Sequence, residues 1–508
     1  MTSPAPSTAA TMPALLDAQA AARPDALALS ARSVSGERLR LSYAPLATVS
    51  RRAAGALAAE GVRAGDRVAV ILGNDAGYEC IAVATGALRL GAAIVPMNPR
   101  WSDPELVHAL ALSEPALVVT DATGRDRLAT LAPALAARSV EGGDGFPSRD
   151  ATPVAGEASA DDLASLLFTS GTTARSKAVM HSHATTLAAG RACAAALGLR
   201  PDDVYQGAFP FFTSSALNIA CAACWTTGAG FAMEHVVGNA ERLALVAAEG
   251  TTFYHGVPAV LRYMADEHAA RPADLAGIRR LASGGAPLPP ESRARFSRMC
   301  PGATFVQIYG STESGPAGTV ADASEMDRHP TAVGRPMPGY RVRTVDETGA
   351  DVPAGECGEV VLEGPGVALG YWRDPEATAA AFRGRSVRLG DVGRLVERDL
   401  LLFEDRAKDR INRGGLKISS AAVEAALLEH PAVSEAAVVG ARHPALGEDV
   451  AAFVVLRPRE VATVEDLRTF LTERLAPYEI PRVWRFVDAL PRNPMGKVLK
   501  SDLRGRLG

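Results

Sequence analysis

Short runs of valine, isoleucine and leucine alternate with longer alanine- and leucine-rich stretches of helical period through the first half of the chain. Residues 67–72, 92–96, 116–120 and 163–168 are apolar at nearly every position. A strand with one wet face alternates, whereas a strand covered on both faces does not. The pattern therefore predicts largely buried sheets with helices packed over them, an α/β layering. Residues 141–162, rich in Gly, Pro, Asp and Ser, read as an exposed loop before the last of these strands.

The pattern changes near Asp405-Arg406-Ala407-Lys408-Asp409. Beyond it come a Gly414-Gly415 turn, a helix from about Ser420 to His430 stopped by Pro431, and strands over 433–439 and 451–456. A second helix opens at Thr463-Val464-Glu465-Asp466, a hydroxyl-x-x-acid start signal. These pieces predict a small α+β domain of about 100 residues. The expected division is a large N-terminal domain of layered α/β subdomains over 1–405 and a small C-terminal domain over 406–508. The charged run 405–409 reads as the linker, or as an exposed turn with no hinge role.

At 508 residues and 47% hydrophobic content, the chain can bury more than one core. A net charge of −4, from 53 basic and 57 acidic residues, predicts attraction to neither nucleic acid nor membrane. No long uncharged apolar run appears, so no membrane span is expected. Residues 1–12 read as a frayed tail, not a signal peptide. Of the six cysteines only Cys221 and Cys224 lie close together. That pair is open to a redox or metal reading, but its small apolar surroundings favour two thiols packed in a helix, which suits a reducing cytoplasm.

Two stretches carry candidate chemistry. Thr169-Ser170-Gly171-Thr172-Thr173-Ala174-Arg175-Ser176-Lys177 follows a buried-strand pattern and gathers hydroxyls, backbone N–H groups and one ammonium. Such a loop suits a polyphosphate; an ordinary Ser/Thr turn is the alternative. In Gln307-Ile308-Tyr309-Gly310-Ser311-Thr312-Glu313 an aromatic can stack on a base and a glycine admits the ligand. A hydroxyl there can meet phosphate, and the carboxylate can hold Mg²⁺.

Together these motifs resemble the adenylate-forming superfamily of acyl-CoA synthetases, peptide-synthetase adenylation domains and beetle luciferases. The second matches the family's Gln-x-Tyr-Gly-x-Thr-Glu without substitution. The first departs from Thr-Ser-Gly-Thr-Thr-Gly-x-Pro-Lys-Gly at Ala174, Ser176 and Ala178. Gly284, Gly285 and Ala286 resemble the segment bordering adenine and the acyl group. Asp391 matches the ribose-binding aspartate, Arg406 the arginine at ribose or phosphate, and Lys408 the hinge. Gly414, Gly415 and Leu416 match the hairpin that enters when thiol attacks. Lys497, in Pro491-Arg492-Asn493-Pro494-Met495-Gly496-Lys497, matches the catalytic lysine. Gly370-Tyr371-Trp372 falls among the structural turns. The resemblance spans about residues 14–505 and implies a mobile C-terminal lid.

What the resemblance implies is a ligase using ATP, Mg²⁺ and CoA to activate a carboxylic acid through an acyl-adenylate. Thr312, Glu313 and Lys497 would be catalytic, with Glu313 on the metal. Thr169, Ser170, Gly171, Thr172, Thr173, Lys177, Tyr309, Gly310 and Ser311 would face the nucleotide. Thr213, Ser214, His255 and Gly284 would line the acyl pocket, although residues 211–216 also read as simple helix packing. Peptide-synthetase relatives place an aspartate in that segment and this chain does not, which argues against an amino acid, while the small Thr213, Ser214 and Ala216 side chains would leave room for a bulky, apolar acid. His181 and His183 look like a metal pair but read as structural. A second reading takes Ala174, Ser176, Ala178 and Thr213 as marks of lost adenylation. The enzyme would then only convert a preformed acyl-AMP, made by a separate adenylating enzyme, to the thioester. A nucleotide sensor and a luciferase-type oxygenase are further alternatives, and a homodimer is an allowed assembly.

Overall fold

The computed structural model describes residues 9–136, 138–142, 146, 152, 154, 158–169, 176–235, 238–285, 288, 290–492 and 498–507. Three sheets organise the chain. A seven-stranded sheet runs in the order Gly370–Tyr371, Lys177–Ser182, Leu163–Thr169, Ala93–Pro96, Arg67–Ile71, Leu117–Thr120 and Ser139–Glu141. Its four middle apolar runs are the strands expected from the sequence. Val68, Val70, Ile94, Val118 and Leu166 are fully buried, as strands covered on both faces require.

The larger sheet is built in two halves. Leu27–Arg32, Gly230–Met233, Val204–Gly207, Phe253–Gly256, Arg280–Gly284 and Thr304–Tyr309 run parallel. Thr319–Asp322, Ala332–Pro336, Leu400–Arg406, Ser386–Val396, Cys357–Glu363 and Arg341–Val345 continue it antiparallel. The carboxyl ends of the parallel strands, at Gly207, Gly256, Gly284 and Tyr309, come together on one edge, where open α/β sheets hold their ligands.

The third sheet belongs to the C-terminal domain: Leu416–Ile418, Ile411–Arg413, Gly447–Leu456 and Val433–His443, with Val483–Phe486 on Gly447–Leu456. Helices Ser420–Leu428 and Val464–Thr472 close a separate core around Ile418, Val423, Leu427, Val450 and Leu467. The expected start signal is present as a capping box, with Thr463 and Asp466 bonding each other's backbone N–H.

One sequence expectation needs adjustment. The N-terminal tail ends earlier than residue 12, because helix Met12–Ala22 begins there with Thr11 as its cap. Met12 is 1% exposed and its N–H donates to His183 Nδ1 at 3.3 Å, so core packing orders a stretch whose composition looks frayed. Two acids of the charged run 405–409 are tied to the C-terminal domain. Asp405 accepts from Ser420 N at 2.6 Å and Ser420 Oγ at 3.1 Å, and Asp409 accepts from Arg504 at 2.8 Å. Cys221 and Cys224 are both buried, with burial pushing each thiol up. Cys221 closes a π-helix over Ser215–Cys221, and Cys224 lies in the α-helix Ala222–Thr227 that follows. Among the described residues no helix is long and apolar enough to cross a membrane.

Candidate active site

Strand pairing assembles the first cluster. In the antiparallel ladder between Ser386–Val396 and Leu400–Arg406, Asp391 sits directly opposite Arg406. Their side chains form an ion pair of 3.3 Å, Arg406 Nε to Asp391 Oδ1. The Tyr309 hydroxyl donates to Asp391 Oδ2 at 2.7 Å. Asp391 is only 4% exposed, and these two neighbours offset the cost of burying its charge. Two consecutive strands and the distant Tyr309 thus converge on one carboxylate.

The turn after Tyr309 has no room for side chains. A Cβ on Gly310 would lie 2.3 Å from the Pro316 carbonyl oxygen. The loop continues into the single turn Thr312–Ser314, where Ser311 N donates to Ser314 Oγ at 3.0 Å. Two outside contacts fix Thr312. Its hydroxyl lies 3.1 Å from Ser214 Oγ, and its carbonyl accepts from His181 Nε2 at 2.9 Å. Burial drives the His181 imidazole down to about 4, so it is a neutral donor. His183 instead meets the N-terminal helix, and among the described residues no cluster of three or more metal-ligating side chains exists. Each histidine thus hydrogen-bonds within the fold.

Glu313 and Lys177 meet through Tyr371, which the sequence reading took only as part of a turn. Strand Gly370–Tyr371 pairs on the edge of Lys177–Ser182, with Tyr371 opposite Val179. The Tyr371 hydroxyl donates to Glu313 Oε1 at 3.1 Å, and Lys177 Nζ stands 4.7 Å above its ring centroid. Burial, and then the Glu313 carboxylate, push the phenol above its ordinary range and keep it a donor. Among the described residues Glu313 Oε2 has no partner. A carboxylate oxygen of this kind fits Mg²⁺, which protein sites usually bind through one or two carboxylates plus substrate phosphates.

On the acyl side, Thr213 Oγ1 donates to the Pro210 carbonyl at 2.7 Å, closing a turn, and the π-helix follows. Helices of this type recur at functional sites. Asn74 holds the preceding loop, donating to the Phe209 and Glu234 carbonyls and accepting from Phe211 N. Nothing in the sequence singled Asn74 out. His255, 2% exposed, lies on Phe253–Gly256 with its Nδ1 2.6 Å from the Tyr205 hydroxyl. Gly284 ends the next strand, and Gly285 turns at φ +80°.

Two departures in the phosphate loop come into view. Ala178 is a fully buried residue within strand Lys177–Ser182, and neither it nor Ser176 has a positive φ. Glycine's backbone freedom is therefore not needed at Ala178, and Ser176 stands in place of a proline. Ser170, Gly171, Thr172, Thr173, Ala174, Ala286 and Lys497 lie outside the described residues; Thr169 ends its strand as expected. Lys408 follows Arg406 on an exposed turn. Gly414, Gly415 and Leu416 form an exposed turn tied to the C-terminal domain's own chain by Gly414 N to the Leu446 carbonyl, 2.8 Å.

Parallel strands whose carboxyl ends share one edge, a Tyr–Asp–Arg cluster and a separate C-terminal domain define a class. The family model for AMP-binding enzymes matches residues 16–372, and that for the AMP-binding enzyme C-terminal domain matches 422–497. The chain belongs to this family, in the acyl-CoA synthetase branch of the adenylate-forming enzymes, and is an AMP-forming acid–thiol ligase. Among curated proteins it is similar to the feruloyl-CoA synthase of an Amycolatopsis species, 34% identical over 92% of this chain and 94% of that one. It is also similar to a methyl-dioxo-octahydroindenyl-propanoyl:CoA ligase of Rhodococcus jostii, 33% identical over 95% and 98%. Among solved structures it resembles ATP-bound MatB from Rhodopseudomonas palustris, with TM-score 0.86 and 30% identity over 98% and 99% of the two chains.

Proposed function

We propose that this enzyme activates a bulky, apolar carboxylic acid, not an amino acid, as its adenylate and transfers it to CoA. The observation that carries the reading is the pair of clusters at the two ends of the loop 309–313, Tyr309–Asp391–Arg406 at its start and Lys177–Tyr371–Glu313 at its end. The segment 211–216 carries no carboxylate to pair an α-amine. The relatives named for feruloyl and octahydroindenyl-propanoyl thioesters support an acid of that bulk.

A free carboxylate resists thiol attack because oxide would have to leave; an adenylate offers AMP instead. Forming it is an in-line displacement at phosphorus, helped by positioning and by charge placed where negative charge builds. Asp391 accepts from the ribose hydroxyls, Tyr309 covers the base, and Arg406 orients Asp391. Thr312, held by His181 and Ser214, presents its hydroxyl to phosphate. Lys177 and the hydroxyls around it hold the departing pyrophosphate. Glu313, oriented by Tyr371, would hold Mg²⁺, which supplies positive charge to the phosphates. Lys497 neutralises the α-phosphate, and a turn of the C-terminal domain about Lys408 replaces it with the Gly414-Gly415-Leu416 hairpin and CoA.

A paired assay tests this. The protein is incubated with ATP, Mg²⁺, CoA and a panel of aromatic and polycyclic acids, and separately with synthetic acyl-adenylates and CoA. Thioester from both mixtures is the expected result. Thioester from the adenylates alone would mean that adenylation has been lost, and none from either would overturn the ligase reading.

A further inference from the structure

His255 is buried, with one ring nitrogen engaged by Tyr205 and the other beside Gly284. The Tyr205 hydroxyl, itself fully buried, has His255 Nδ1 as its one partner among the described residues, at 2.6 Å. A buried phenol O–H needs an acceptor. If Nδ1 carried a proton the phenol hydrogen would have none, so Tyr205 donates and Nδ1 accepts. Burial pushes the imidazole down to about 3, which keeps the ring neutral. A neutral ring that accepts at Nδ1 carries its proton on Nε2.

Nε2 lies beside Gly284. A Cβ built there would stand 3.6 Å from Nε2 and 3.2 Å from the Ile308 carbonyl oxygen, so the glycine keeps a side chain off this flank of the ring. Gly284 is half-buried at the end of its strand and pairs with Ile308, immediately before Tyr309 and Gly310. The ring of Phe209 stands edge-on to His255 with centroids 4.5 Å apart and closes one flank. Among the described residues nothing accepts from Nε2–H.

Resting on the ligase reading, we propose that His255 is a specificity-determining residue whose Nε2–H donates to an acceptor oxygen, ether or carbonyl, on the tail of the acid. Tyr205 is its positioning residue, holding the tautomer that donates. An acid with no such oxygen leaves a buried donor unpaired, and sites built this way discriminate more sharply than apolar pockets do.

The test uses non-hydrolysable acyl-sulfamoyl adenosines carrying cinnamoyl, 3-methoxycinnamoyl or 4-methoxycinnamoyl groups, because a methoxy oxygen only accepts. Binding to the full-length protein is measured by calorimetry, so the result does not depend on turnover. The wild type should bind at least one methoxy analogue roughly ten- to a hundred-fold tighter than the cinnamoyl analogue. His255→Phe should abolish that ratio. Tyr205→Phe, which keeps the ring, should reduce the ratio in the same direction and serves if His255→Phe does not fold. A wild-type ratio near one, a ratio that survives His255→Phe, or equal weakening of all three analogues overturns the proposal. If none of the three binds folded wild-type protein, the ligase reading fails and takes this inference with it.

Discussion

Replacing Tyr371 with phenylalanine removes one hydrogen bond and leaves the ring beneath Lys177. The lost contact is the 3.1 Å bond from the phenol to Glu313 Oε1. Hydrogen bonds to charged groups contribute about 1.5–3 kcal/mol. Tyr371 and Glu313 are only partly buried, so water re-solvates the freed carboxylate and the lower end applies. At about 1.4 kcal/mol per decade, roughly 1.5 kcal/mol corresponds to a tenfold loss. The Lys177 cation–π contact, 4.7 Å to the centroid, survives on a phenyl ring. The expected result is therefore a roughly tenfold fall in ATP-dependent pyrophosphate exchange with a rise in the Mg²⁺ concentration for half-maximal rate. Thioester formation from a preformed adenylate should stay near wild type, because pyrophosphate and its metal have already left. Equal losses in both half-reactions would refute the reasoning, since Tyr371 would then support the fold and not the carboxylate. No loss in exchange would show that Glu313 needs no orienting partner.

Two further outcomes follow from the same geometry. Gly310→Ala puts a methyl 2.3 Å from the Pro316 carbonyl oxygen, so the loop must shift; a cost of about 1–3 kcal/mol and weaker AMP binding are expected, measured by thermal unfolding and calorimetry, and an unchanged Tm with full AMP affinity would contradict the tight turn. Burial lowers His181 and His183 to about 4 and His255 to about 3 from 6.5, so the unfolded chain binds more protons as pH falls below about 6.5. The stability these neutral rings contribute is complete above that pH and declines below it by about 1.4 kcal/mol per pH unit for each. Urea unfolding of His181→Gln, which keeps a donor for the Thr312 carbonyl, should show a slope shallower by about that amount between pH 6 and 5; an identical slope would mean His181 is protonated in the fold.

Much of the architecture is legible in the chain because its signals are local. Uninterrupted apolar runs identify strands covered on both faces, and the Gly414-Gly415 turn with the Thr463–Asp466 cap marks a second, smaller domain. Tyr309-Gly310-Ser311-Thr312-Glu313 is likewise readable, since one loop must supply an aromatic, a bend and a carboxylate within a few residues. The N-terminal helix was misjudged because Ala, Thr and Pro resemble a tail in composition, while the burial of Met12 that orders them depends on His183.

Pairing across distance belongs to the tertiary structure alone. Asp391 faces Arg406 only through the register of one antiparallel ladder, and Tyr371 reaches Glu313 only because a two-residue strand adds to the edge of Lys177–Ser182. Tyr205 meets His255 because their strands lie side by side in parallel. A side chain's neighbour on a sheet is set by hydrogen-bond register between strands far apart in the chain, so residue type announces what a group is able to do, and packing decides what it does it to.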